Sequence, residues 1–71
     1  MYKRQWFVDG RLSEGYYNNG KKNDTWTSWW DHGKTRKEMQ GSYKNDSMID
    51  KWFFYDKSGN LKEIRYFSPD F

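Results

Sequence analysis

The sequence predicts an all-β protein: six strands in an antiparallel meander of β-hairpins, forming a single sheet that is open or half-closed. Three observations predict it. Turn dipeptides punctuate the chain at Asp9-Gly10, Asn19-Gly20, His32-Gly33, Asn45-Asp46 and Ser58-Gly59, each between aromatic-rich runs. From Gly20 onward the interval is constant, with Gly20, Gly33, Asp46 and Gly59 thirteen residues apart, the length of one strand plus one turn. Aromatic residues make up 23% of the chain, while Ala is absent and Leu occurs twice, which favours strands over helices.

The runs between the turns place strands at roughly 2–8, 11–17, 24–30, 35–43, 48–55 and 61–67. Each connection is too short for a crossover, so sequential strands must pair antiparallel. Pro69 follows the last strand, where its missing N–H leaves no ladder bond unmade. All 71 residues read as one domain, 1–71, with no linker or low-complexity tract. The turn glycines Gly10, Gly20, Gly33 and Gly59 are expected to supply the positive φ angles of tight hairpin turns.

With two-residue turns throughout, cross-strand pairing puts Trp6, Ser13, Trp26, Met39, Trp52 and Arg65 in one row. Val8, Tyr17, Trp30, Tyr43, Met48, Phe54 and Leu61 share that face. The expected core is therefore Trp6, Trp26, Met39, Trp52 and Phe54. The opposite face is expected to carry a row of Trp29, Arg36, Tyr55 and Lys62, two rings alternating with two cations. Tyr16, Glu14, Gln40, Lys51 and Tyr66 lie beside it. Tyr, Trp and Arg are the residue types enriched at interface hot spots, so Trp29, Arg36, Tyr55, Lys62, Tyr16 and Tyr66 are the candidate partner-binding residues. A solvated face whose Lys and Arg stems cover the rings is the alternative reading.

A 26-residue unit spans each pair of strands. Trp26-x-x-Trp29-x-x-x-Gly33 is echoed by Trp52-x-x-Tyr55-x-x-x-Gly59. The intervening strands read Glu14-x-x-Tyr17-Asn18-Asn19-Gly20 and Glu63-x-x-Tyr66, with Tyr43-Lys44-Asn45-Asp46 as a degenerate copy. This resembles the MORN-repeat family, in the bacterial variant of YwqK-type antitoxin-like proteins. Trp26, Trp29, Gly33, Lys34 and Glu38 match one repeat, and Trp52, Tyr55, Gly59 and Tyr66 match the next. The likeness covers about residues 14–67. Thr25 and Lys51 stand where the family usually has a Gly before the Trp, and the spacing from Glu38 to Tyr43 is longer than usual. The resemblance implies a β-hairpin ladder used for protein or membrane-lipid contact, with no catalytic residues to carry over.

Chemistry narrows the function further. There is no Cys and a single His, His32, so the composition does not predict a thiolate metal site, a His-based zinc site or a Ser-His or Cys-His triad. The glycines are spaced as turns, not as a phosphate-binding loop, and Asp9, Asp24, Asp31, Asp46, Asp50 and Asp56 sit mostly beside turns, where Asp caps backbone N–H groups. No enzyme, metal or cofactor is predicted. The chain begins MYKRQWFVDG, two basic residues with no apolar stretch after them, and no run approaches a membrane span. A cytoplasmic protein is expected. The net charge of +3 suits an acidic partner only mildly. The expected function is a small protein-binding module, antitoxin-like or a phage-type inhibitor, whose partner offers an acidic or apolar surface. Single-stranded nucleic acid and a second copy of the chain are the alternative partners.

Overall fold

The computed structural model describes residues 1–67; Pro69 lies outside them. The strands are β1 Tyr2–Trp6, β2 Leu12–Asn18, β3 Lys21–Trp29, β4 Lys37–Lys44, β5 Ser47–Tyr55 and β6 Leu61–Phe67. They form one antiparallel sheet in the order β1-β2-β3-β4-β5-β6, so β1 and β6 are open edges. Among the described residues there is no helix, and none therefore long and apolar enough to cross a membrane. The principal extents are 35 × 26 × 14 Å, the thinnest being that of a single sheet with its side chains.

The five turns fall where the sequence puts them, but they are of three kinds. At one end of the sheet, Asn19-Gly20 (φ 54° and 79°) and Asn45-Asp46 (φ 50° and 72°) are two-residue turns with both central residues left-handed. Asp46 fits because its carboxylate accepts from Lys22 N at 2.7 Å while its own N–H donates to Lys22 O at 3.0 Å, clipping one hairpin tip to the next. At the other end, Phe7–Arg11 and Asp56–Asn60 hold three-residue loops. Gly10 N donates to Phe7 O and Gly59 N to Asp56 O, and the left-handed position falls on the glycine (φ 97° and 92°). The loop between them in the chain is longer, closed by Trp30 N to Arg36 O at 2.8 Å. There Lys34 takes the positive φ, 60°, and Gly33 does not, which corrects the role expected of Gly33.

Turn length decides which face a side chain occupies, because a one-residue slip inverts a strand. The three-residue loop pairs Trp6 with Leu12 instead of Ser13. Trp6 therefore leaves the expected core and stands 56% exposed on the opposite face. Val8 at the loop tip and Leu61 at the start of β6 are likewise exposed instead of packed. Trp30 lies past the end of β3, half-buried against the loops.

The remaining core residues do share a face, in a different register. Bulges shift it: β2 pairs Tyr16 with Asn23 but Gly15 with Trp26, leaving Asp24 and Thr25 extra on β3. Between Gln40 and Ser42 of β4 the same event recurs on β5. Consequently Met39 pairs with Phe54 instead of Trp52, while the long Trp30–Arg36 loop and an irregularity at Ser28/Trp29 pair Trp26 with Gly41 instead of Met39. The row that runs through the core face is Gln5–Ser13–Ser28–Met39–Phe54–Glu63.

The bulges exist to seat two indoles. Trp26 lies flat on Gly15 and Trp52 flat on Gly41, where a Cβ would overlap the ring. Each indole N–H reaches a backbone carbonyl, Trp26 Nε1 to Tyr16 O at 2.9 Å and Trp52 Nε1 to Ser42 O at 3.0 Å. Around them Tyr17, Trp26, Tyr43 and Trp52 make successive edge-to-face contacts at 5.4, 6.0 and 5.0 Å, and Phe54 stacks on Trp52 at 6.5 Å. Lys22 Nζ sits 4.9 and 5.1 Å from the Trp26 and Tyr43 ring centres.

At the bulges Asp24 (φ 61°) and Asp50 (φ 59°) adopt the left-handed region, which Asp tolerates and β-branched residues do not. Asp24 is exposed, so a substitution there reads backbone strain alone. Asp24→Val is expected to cost about 1–2 kcal/mol and Asp24→Gly to be neutral or stabilising by up to about 1 kcal/mol. Urea midpoints of the two variants check this; equal midpoints would place the strain elsewhere.

Candidate partner-binding surface

The face opposite Trp26 and Trp52 is built on a row that crosses all six strands: Arg4–Glu14–Thr27–Gln40–Phe53–Ile64. Beside it runs Trp6–Leu12–Trp29–Lys37, ending at the loops. Toward the other end Tyr2 pairs with Tyr16, and Lys51 with Tyr66.

The middle of this face is covered. Leu12 is buried under Trp29 and its neighbours, and Gln40 bridges Thr27 Oγ1 at 3.0 Å and Lys37 Nζ at 3.1 Å. Glu14 is the hub. Its carboxylate accepts from Arg4 Nε at 2.8 Å, Trp29 Nε1 at 3.0 Å and Lys34 Nζ at 3.1 Å, with a side chain only 6% exposed. Burial alone would raise its pKa, but the bonds from Arg4, Lys34, Trp29 and the Tyr2 phenol outweigh burial and hold it at about 2. The same contact raises the Arg4 pKa, and burial together with this carboxylate raises that of Tyr2.

The two flanks of the face are open. Tyr2 and Tyr16 meet edge-to-face at 4.8 Å and are both exposed, with Trp6 further along β1. On the far flank Ile64 and Tyr66 are exposed, Tyr66 to 74%, and Lys51 Nζ lies 5.5 Å from the Phe53 ring and 5.8 Å from that of Tyr66. Of the exposed large apolar residues Tyr2, Trp6, Tyr16, Ile64 and Tyr66 all belong to this face. Two other carboxylates of the sheet lie away from it: Glu38 binds Arg11 Nη1 at 3.1 Å, and Glu63 pairs with Phe54.

The expected row of Trp29, Arg36, Tyr55 and Lys62 does not form. Trp29 pairs with Lys37, whose Nζ is 6.0 Å from its ring, and its N–H is committed to Glu14. Arg36 stands in the loop, its stem over Gly59 and its Nη1 donating to Lys57 O at 3.1 Å. Tyr55 pairs with Leu61, leaving Lys62 as the extra residue of a bulge. Tyr16 and Tyr66 are exposed as expected, and Glu14, Gln40 and Lys51 share their face. Trp6, Tyr2 and Ile64 are the exposed apolar residues that sequence reasoning missed. The signal for Trp6 was the position of Gly10, the fourth residue of its turn, which marks a three-residue loop.

The carboxylates near turns act as caps. Asp9 accepts from Arg11 N at 3.1 Å, Asp31 from Arg36 N at 3.0 Å and Thr35 Oγ1 at 2.9 Å, and Asp56 from Ser58 N at 2.9 Å and Asn60 N at 3.0 Å. Among the described residues no three His, Cys, Asp or Glu gather closely enough to hold a metal ion. No protein-family model, no curated protein and no solved structure matches this chain.

Proposed function

We propose that this protein is a non-enzymatic protein-binding module, antitoxin-like or inhibitory in kind, that grips a larger partner with the Tyr2–Trp6–Tyr16–Ile64–Tyr66 face. The observation that carries the reading is that four of the five exposed rings among the described residues, all but Phe7, stand on that face, while Trp26, Trp52, Tyr17 and Tyr43 cover one another on the other. Lys51 stands beside the exposed Tyr66, and Arg4, paired with Glu14, beside the exposed Tyr2, so a partner with carboxylates around an apolar ridge is the complementary surface. The MORN-type resemblance and a cytoplasmic setting belong to the same proposal.

Single-stranded nucleic acid is the second reading. It gains support from Glu14 and Glu38, whose charges are consumed by Arg4, Lys34 and Arg11 and so do not oppose phosphates at the exposed rings. The variant Trp6→Ser/Tyr66→Ser separates these readings from a structural role. Both side chains are exposed, so the melting temperature is expected to stay within a few degrees while partner binding weakens by about 2 kcal/mol or more. Pull-down from the native host with wild type and variant tests the first reading. Titration with an oligonucleotide at two salt concentrations tests the second. Unchanged binding in the variant would move the contact to a sheet edge or the loops.

A further inference from the structure

Three loops meet at the end of the sheet where Trp30 lies. Gly10 of the first loop lies next to Trp30 O, and Arg36 of the second packs its stem on Gly59 of the third. Lys57 of the third loop holds its ammonium 5.7 Å from the Trp30 ring centre, while its carbonyl accepts from Arg36 Nη1 at 3.1 Å. A cavity of about 300 Å³ remains between them, lined by Asp9, Arg11, Trp30, Arg36 and Lys57.

The charges of this cavity are unequally spent. Asp9 is occupied by its own turn and by Arg11 Nε at 2.9 Å, and Arg11 also reaches Glu38. Asp31, occupied by Thr35 and the Arg36 backbone, stands 3.8 Å from Arg36 Nε, at the outer limit of an ion pair. Lys57 makes no ion pair among the described residues. Two cations from different loops are thus held side by side with their carboxylates largely engaged elsewhere. A second observation is independent of charge: Trp30 Nε1 is the one buried side-chain nitrogen or oxygen, among the described residues, that has no hydrogen-bond partner. The Trp30 ring is a wall of the cavity and has the Lys57 ammonium beside it.

We infer that the three-loop cavity is an oxyanion-binding site, in which Arg36 and Lys57 hold a carboxylate or phosphate group against the Trp30 indole. Arg36 supplies planar paired donors, Lys57 a point charge, and the indole a flat wall. The volume sits at the lower limit for small-molecule sites, which suits one anionic group and a few further atoms. The site is separate from the exposed aromatic face and does not rest on the protein-binding reading.

The test uses the ¹⁵N-labelled full chain, titrated with sodium phosphate and, separately, sodium acetate at constant ionic strength. The expected result is a saturable shift of the Trp30 indole N–H while the indoles of Trp6, Trp26, Trp29 and Trp52 hold still. Arg36→Gln and Lys57→Gln are each expected to weaken it at least tenfold, and Lys57→Arg to restore most of it, with Lys62→Gln as the silent control. A response to phosphate alone assigns a phosphoryl ligand; a response to both anions assigns a carboxylate-tolerant site. A shift that is linear in salt, equal at all five indoles, or unchanged in both Gln variants would overturn the inference.

Discussion

Gly41→Ala is expected to destabilise the protein by about 3 kcal/mol, close to the effect of removing the Trp52 side chain itself. The reason is geometric. An added Cβ at Gly41 overlaps Cγ, Cδ2 and Cε2 in the middle of the rigid Trp52 indole, which cannot swing aside as a flexible tip would. The indole is also tied by its N–H to Ser42 O, so any shift breaks that bond as well as the contacts with Tyr43 and Phe54. Gly15→Ala is expected to act the same way through Trp26. Trp52→Ala is expected to cost about 3–5 kcal/mol, since Trp52 is only 1% exposed. Gly33→Ala serves as the internal control: its φ is not left-handed, and its Cβ would meet the Asp31 carboxylate at 3.2 Å and the Thr35 methyl at 3.9 Å, so the expected cost is under about 1 kcal/mol. Urea unfolding of the four variants decides the matter. If Gly41→Ala melts with the wild type, the indole does not lie on the strand.

Acid is expected to remove a second large contribution, through Glu14. Its pKa is about 2 in the folded protein against an ordinary 4.5. A carboxyl lowered on folding stabilises fully above its unfolded value, and that stability drains away as the pH falls from about 4.5 toward 2. The side chain is buried, but the sheet is one layer thick and Arg4 and Lys34 reach it from solvent-exposed positions, so water screens the pairs. Allowing for that screening, the loss is about 2 kcal/mol. Glu14→Gln is expected to cost a similar amount at pH 7, because Arg4, Lys34 and Trp29 then share a weaker, neutral acceptor. It is also expected to flatten the profile: between pH 4.5 and 2.5 the stability of wild type should fall toward that of the variant. Parallel profiles would mean that the Glu14 charge contributes nothing to folding.

Both predictions concern residues whose importance was only partly visible along the chain. Glu14 was placed on the correct face, beside Gln40, Lys51 and Tyr66, because the Asn19-Gly20 turn does hold two residues. Nothing in a strand sequence says that three donors from β1, β3 and a loop converge on one carboxylate. Gly15 and Gly41 were legible and went unread. They stand one 26-residue repeat apart, as do Tyr17 and Tyr43, Asp24 and Asp50, and Trp26 and Trp52. A Gly inside a strand signals close approach by a ring or backbone, and pairing each with its Trp would have located the bulges.

What the sequence by itself determined was the list of strands, their meander order, the five turn positions and the grouping of Trp26, Trp52, Tyr17, Tyr43, Met39 and Phe54 on one face. These follow from local rules: turn chemistry at fixed residues, short connections and alternation within each strand. Tertiary structure alone decided the register between β3, β4, β5 and β6, and with it the burial of Trp29 against Glu14 and the removal of Arg36 to the Trp30 cavity; the exposure of Trp6 follows from the three-residue loop that Gly10 marks. The physical reason is that strand alternation has period two, so a single added residue in a turn or bulge exchanges the faces of everything beyond it. Where those residues are added is set by packing across the sheet, by an indole that needs a bare backbone beneath it.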